Sequence, residues 1–192
     1  MSYSCVGDSD LAECSINDLD LILGDGLPEQ ISTEQPVSTL KYAPVVLGQT
    51  VSDELSGWYN ASRDAFGQVR WRWTEFYEEN EWNKSFLPAF AAGEGTGSDG
   101  RLQHDGFILG LFILGPDTYY PEHAHPAEEF YIILTGSPEF RKGEGEFSVQ
   151  EDGAVVMHHT EVSHAIRTSN EPFYGIYGWR GEIRHKVGID II

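Results

Sequence analysis

His123-Ala124-His125-Pro126-Ala127-Glu128-Glu129-Phe130-Tyr131, broken off at Gly136, is the stretch on which the fold turns. Its spacing is His-x-His, then Glu four residues on, then Tyr two after that, and His164 lies one hairpin further along. Side chains of an extended chain alternate between two faces. His123 and His125 therefore share a face, as do Glu129 and Tyr131, and a partner strand can bring His164 to the same point. Parity lets all five groups converge on one cavity. Imidazoles with a carboxylate make a mixed nitrogen and oxygen donor set for a divalent metal of borderline softness. No thiolate closes such a site, so it suits catalysis rather than a purely structural role.

The surrounding chain reads as strands. Residues 107–114 and 130–134 are short apolar runs, the second stopped by Thr135-Gly136-Ser137-Pro138. A hairpin turn is expected at residues 143–145, with strands at 146–149, 154–157, 164–168 and 173–179. Short strands at regular spacing with glycine turns indicate a β-sandwich or barrel. Upstream the texture differs. Residues 1–48 are mixed, with a break at 24–28 and a short helix expected at 19–23. From Ser52 the spacing is helical. Leu55, Trp58, Tyr59, Ser62 and Phe66 fall on one face, and Ser52, Asp53 and Glu54 are placed to cap its start. Gly67 interrupts, after which Val69, Trp73, Phe76 and Tyr77 continue the pattern. Residues 88–100 read as a glycine-rich loop, a hinge or lid. Their Gly-x-Gly-x-Gly spacing lacks the Lys-Ser/Thr of a phosphate loop. The expected division is a helical extension over residues 1–100, packed on a metal-binding barrel over residues 101–192.

Composition narrows the function. The 192 residues suffice for one domain with a real core. Twelve Lys and Arg against 31 Asp and Glu give a net charge of −19. That excess of negative charge argues against nucleic acid or an anionic membrane as partner. No run is apolar enough to span a bilayer. The first ten residues lack a basic and then apolar leader, so a cytoplasmic location is expected. Cys5 and Cys14 are read as two free thiols in a mobile segment rather than a disulfide framework.

The pattern is similar to the two motifs of the cupins. His123, His125, Glu129 and Gly136 match the first without a gap. Gly153 and His164 match the second, which runs from a glycine to a histidine eleven residues later. The usual proline and glycine of the second motif are His159 and Glu161 here, and its terminal asparagine is Thr168. The resemblance implies a mainly β fold, a double-stranded β-helix (β-barrel) with an N-terminal α-helical segment. A narrower resemblance rests on Tyr119-Tyr120-Pro121-Glu122 before the histidines, Tyr131 after the glutamate, the aromatic N-terminal helices, residues 86–100 and Trp179. On these the chain resembles the bacterial dimethylsulfoniopropionate lyases of the cupin superfamily.

That resemblance implies cleavage of dimethylsulfoniopropionate to dimethyl sulfide and acrylate. It implies His125, Glu129, His164 and Tyr131 as metal ligands, with His123 a ligand or a polar group beside the metal. Tyr131 is then the base that starts the reaction, and Tyr120 the rival base and a pocket residue. Tyr177 and Trp179 share a strand face and, with Tyr120 and His123, are expected to line the substrate pocket. There aromatic faces can hold a small cationic sulfonium carboxylate. One divalent ion is expected, zinc or iron first, with manganese, cobalt or nickel also acceptable to these donors. Oligomeric state stays open, with a homodimer through sheet edges as the cupin expectation. His104, His158, His159 and His185 receive no role. Two other readings stand beside the lyase. One is a cupin enzyme of another class, dioxygenase or isomerase, acting on a small carboxylate. The other is a non-catalytic small-ligand binder. The ligands alone do not choose among these.

Overall fold

A computed structural model describes residues 37–72, 86–183 and 190–191. The helix expected at residues 19–23, the break at 24–28, Cys5, Cys14, Trp73, Phe76, Tyr77 and His185 lie outside the described residues.

Three strands, two of them the apolar runs of the sequence, form the centre of the molecule. These are β3 (Phe107–Leu114), β5 (Glu128–Thr135) and β10 (Phe173–Arg180). They belong to a six-stranded sheet in the order β1-β2-β3-β10-β5-β8, completed by β1 (Arg70–Arg72), β2 (Phe90–Thr96) and β8 (Val155–His158). A second sheet runs β11-β4-β9-β6-β7, from β4 (Tyr119–Ala124), β6 (Glu139–Lys142), β7 (Ser148–Val149), β9 (His164–Arg167) and β11 (Asp190–Ile191). Every strand pairing in both sheets is antiparallel.

The apolar runs have a physical cause, because the large sheet is covered on both faces. Its inner face, with Phe112, Tyr131, Ile133, Val156 and Phe173, packs on Tyr120, Phe140 and Ile166 of the small sheet. Its outer face, with Leu109, Leu111, Ile113, Phe130, Ile132 and Ile176, is covered by Val46, Leu55, Tyr59 and Ala65. Those last residues come from two helices, α1 (Ala43–Val46) and α2 (Ser56–Ala65), and from Leu55, which immediately precedes α2. The Tyr59 hydroxyl joins the two helical segments, donating to the Val46 carbonyl at 2.6 Å and accepting from the Gln49 N–H at 3.0 Å. A helix does form in the stretch read as helical from Ser52, but it begins at Ser56 after a turn in which Ser52 Oγ accepts the Leu55 N–H at 3.4 Å, and no side chain caps its N-terminus.

Two readings are corrected. The helical continuation through Val69 gives way to β1, whose Trp71 indole donates back to the Phe66 carbonyl at 2.9 Å. Most of the expected loop at residues 88–100 is strand β2, buried along its whole length. Its glycines allow close packing rather than a hinge: a Cβ at Gly93 would stand 2.5 Å from Val69 Cγ2. Glu94 closes the following turn by accepting the N–H groups of Asp99 and Gly100 at 2.8 and 3.1 Å. Because β1 and β2 join the large sheet, that sheet reaches across the boundary drawn at residue 100.

Gly136 ends β5 with φ +106°, and a Cβ there would collide with the Pro172 carbonyl oxygen. This motif glycine thus serves the turn and not the metal donors. Gly136→Ala combines left-handed strain with a backbone clash and is expected to cost about 2–4 kcal/mol. Urea denaturation measures this, and an unchanged midpoint would contradict the assignment.

Candidate metal centre

The donors come from both sheets. His123 lies on β4 and pairs in register with His164 on β9. Glu129 lies on β5, held between His158 of β8 and Trp179 of β10. His125 sits at the turn from β4 to β5. One ligand atom from each of His123, His125, Glu129 and His164 can be chosen so that all lie within 4.8 Å of one another, and all four residues are buried.

Hydrogen bonds set the imidazoles for coordination. Nδ1 of His123 meets the Pro121 carbonyl at 2.7 Å. Nδ1 of His125 meets the Ala127 carbonyl at 2.9 Å, and Nδ1 of His164 the Val162 carbonyl at 2.9 Å. A carbonyl only accepts, so each contact places a proton on Nδ1 and leaves Nε2 to offer a lone pair. His125 Nε2 and His164 Nε2 stand 3.3 and 2.9 Å from Glu129 Oε2. His164 Nε2 is buried and makes no well-aligned hydrogen bond among the described residues. A buried imidazole nitrogen of this kind, two further imidazoles of the same tautomer and a carboxylate fit a divalent ion.

Trp179 supports the carboxylate. Its indole Nε1 donates to Glu129 Oε1 at 2.6 Å, and its ring lies 4.3 Å from that of His125. The residue expected to line the pocket therefore also orients two donors. Tyr120 stacks on His123 at 4.4 Å and packs against Phe86 and Phe90. Tyr131 enters the same interior two positions beyond Glu129, its ring against Phe112, Phe140 and Phe173. Tyr177 pairs with Tyr131 across the strands and meets the Phe112 ring edge-on.

Two departures from the cupin motif are accommodated. Glu161, standing at the motif's glycine, takes φ +60° and donates its N–H to the His125 carbonyl at 3.0 Å. Thr168, at the asparagine position, donates to the Gly115 carbonyl at 2.6 Å and accepts the Thr118 N–H at 3.0 Å.

One buried residue escaped the sequence reading. His158 lies on the inner face of β8, 1 % exposed, stacked on His164 at 3.9 Å with an interplanar angle of 13°. His159, on the other face, is exposed and contacts Glu128 at 3.2 Å. Position 158 follows Val156 at the two-residue period of an inward strand face. That period was the available signal.

Burial and the charges of its neighbours shape how the cluster titrates. Burial and His164 push His123 down to about 3, and the same two causes push His158 down to about 2. Burial opposes a charge on His125, but Glu129 outweighs it and raises the imidazole. Burial likewise opposes the Glu129 carboxylate, yet His125 and His164 hold it well below the usual carboxylate range. In metal-free protein, a depressed histidine stabilises the fold above its unfolded value of 6.5 and loses that contribution as pH falls. A raised histidine behaves in the opposite sense. Below 6.5 the raised histidine is protonated in both states and drops out, so the two depressed histidines set an uptake on unfolding that approaches two protons toward about pH 5. Stability of the metal-free protein is then expected to fall on acidification below about pH 6.5, at a slope that steepens toward about 2.7 kcal/mol per pH unit near pH 5. Chemical denaturation at several pH values measures the slope, and a flat or rising profile would contradict it. Glu129 favours a proton on His125, and a metal competes for the same nitrogen, so loading is expected to release protons. Calorimetry in buffers of different ionisation enthalpy reads that release.

Two antiparallel sheets closing around an inward His-His-Glu-His group that could hold a metal ion define a cupin. The chain belongs to the dimethylsulfoniopropionate lyase family, whose model matches residues 25–174. It is 34% identical over 161 residues to the dimethylsulfoniopropionate lyase DddQ of Ruegeria pomeroyi, covering 82% of this chain and 79% of that protein. It is 29% identical over 119 residues to a putative dimethylsulfoniopropionate lyase, DddL, of Cereibacter sphaeroides, covering 61% of this chain and 50% of that one. The crystal structure of Ruegeria pomeroyi DddQ shares the fold, with a TM-score of 0.67 and 24% identity over 89% of this chain and 93% of the other. No helix among the described residues is long and apolar enough to cross a membrane.

Proposed function

We propose that this chain cleaves dimethylsulfoniopropionate to dimethyl sulfide and acrylate as a metal-dependent carbon–sulfur lyase. The observation that carries the reading is the buried group of His123, His125, Glu129 and His164 in a chain of this family. His125, Glu129 and His164 would hold the ion, His123 would join them or face it, and Tyr131 would be a further ligand at rest. With a divalent ion bound, the site gains a Lewis acid that withdraws electrons from the substrate carboxylate and acidifies the adjacent C–H. Zinc or ferrous iron is the first choice, followed by manganese, cobalt or nickel.

The chain's own residues do the rest. Tyr131, as phenolate, takes the proton from the carbon next to the carboxylate, and Tyr120 is the rival for this step. The freed electron pair forms the C=C bond of acrylate. The C–S bond breaks with its pair going to sulfur, so the sulfonium leaves as neutral dimethyl sulfide. Tyr120, Tyr177 and Trp179 offer aromatic faces to the cation. A free phenol has a pKa of about 10 and is a weak base near neutrality. The rate is therefore expected to rise into the alkaline range as the phenolate forms.

Headspace gas chromatography on metal-loaded protein with dimethylsulfoniopropionate tests the reading. Release of dimethyl sulfide that a chelator abolishes is the expected result. A folded, metal-loaded sample that releases none would overturn it and move the search to other small carboxylates.

A further inference from the structure

We propose that His158 is a substrate-anchoring residue, whose ring N–H takes the carboxylate end of the bound substrate. The inference rests on the functional reading above, and its observations lie outside the metal ligands. His158 is not one of the four residues whose ligand atoms cluster within 4.8 Å. It lies beside them, face to face with His164 and across the strand pair from Glu129.

Both nitrogens of His158 are buried and neither has a hydrogen-bond partner among the described residues. Burying an imidazole in that state is unfavourable, and an apolar ring would fill the same place without the cost. Its other neighbours, Phe140 and Tyr131, contribute ring contacts at 5.9 and 6.1 Å. Val156, the previous inward residue of β8, is apolar as the packing demands. A polar ring in such surroundings is explained by something that arrives there.

The substrate narrows what that is. A sulfonium carries no useful hydrogen-bond acceptor, whereas a carboxylate carries several lone pairs. A neutral imidazole presents one N–H to such an oxygen. A lysine or arginine at the same place would bind the carboxylate more strongly but would repel both the metal and the sulfonium. A neutral donor avoids that conflict.

The test compares His158→Phe and His158→Gln with the unaltered protein, all loaded with metal. Acrylate is the binding probe, followed by calorimetry, with acrylamide as the uncharged control. Metal per chain, thermal midpoint, kcat and KM are measured alongside. His158→Phe is expected to keep its metal and hold or raise its midpoint. Its acrylate affinity is expected to fall about tenfold to a hundredfold, the range for a hydrogen bond to a charged group. KM for dimethylsulfoniopropionate rises in step while kcat changes little, and His158→Gln, which keeps an N–H, recovers part of the loss. Unchanged acrylate affinity and KM in a fully loaded His158→Phe protein would overturn the inference. So would loss of metal in both variants, or an unaltered holoprotein that binds no acrylate. Acrylate binding without release of dimethyl sulfide would instead overturn the lyase reading, since the titration reads the ring without turnover.

Discussion

Glu129→Gln protein is expected to bind divalent metal at least about 100-fold more weakly and to lose dimethyl sulfide release in proportion. Removing an outer partner of a metal ligand commonly costs tenfold to a hundredfold, so removing the anionic ligand itself sets a higher floor. The substitution is informative because Glu129 serves three neighbours at once. Its Oε1 accepts from Trp179, and its Oε2 faces His125 and His164. A glutamine oxygen can still accept the indole N–H, so the local packing survives while the charge goes. Glu129→Ala would also strand that N–H, and breaking a buried pair in this way costs about 3–5 kcal/mol. Metal per chain by mass spectrometry, with circular dichroism to establish folding, measures the effect. Full metal content in folded Glu129→Gln protein would remove Glu129 from the ligand set.

The second large effect concerns the base. Tyr131→Phe is expected to lower kcat by about 10²–10⁴, the usual contribution of a positioned general base, while metal content falls less. The ring stays packed on Phe112, Phe140 and Phe173, so the loss isolates the hydroxyl. Tyr120→Phe serves as the comparison. Tyr120 stacks on His123 and is expected to raise KM more than it lowers kcat. The reverse pattern would transfer the base to Tyr120. Loss of the alkaline limb of the pH–rate profile in only one of the two variants would make the same assignment independently.

The clustering of the candidate metal-site residues was legible in the sequence because two simple rules bring them together. Strand alternation puts Glu129 inward together with Tyr131, and one hairpin returns His164 beside His123. The central strands were legible because the large sheet is buried on both faces and wrote unbroken apolar runs. Other features hid for physical reasons. Strand β2 is rich in small residues because neighbouring backbones approach closely there, and small residues also mark loops. Glu161 adopts a glycine's backbone conformation without being glycine, so the motif looked damaged where the turn is intact. His158 was passed over because one of two adjacent histidines had to face outward, and only the two-residue period from Val156 says which. The hydrogen bond from Trp179 to Glu129 crosses a strand pair and spans 50 residues, beyond the reach of spacing arguments.

That hydrogen bond also gives the protein an optical reporter. The excited indole is sensitive to charge and polarity at its N–H, and here the N–H is bound to a carboxylate of the candidate metal group while the ring lies beside His125. Filling or emptying the site therefore changes the field on one chromophore, so occupancy can be followed as tryptophan emission in unlabelled protein. A Trp179→Phe sample supplies the background from the chain's other four tryptophans.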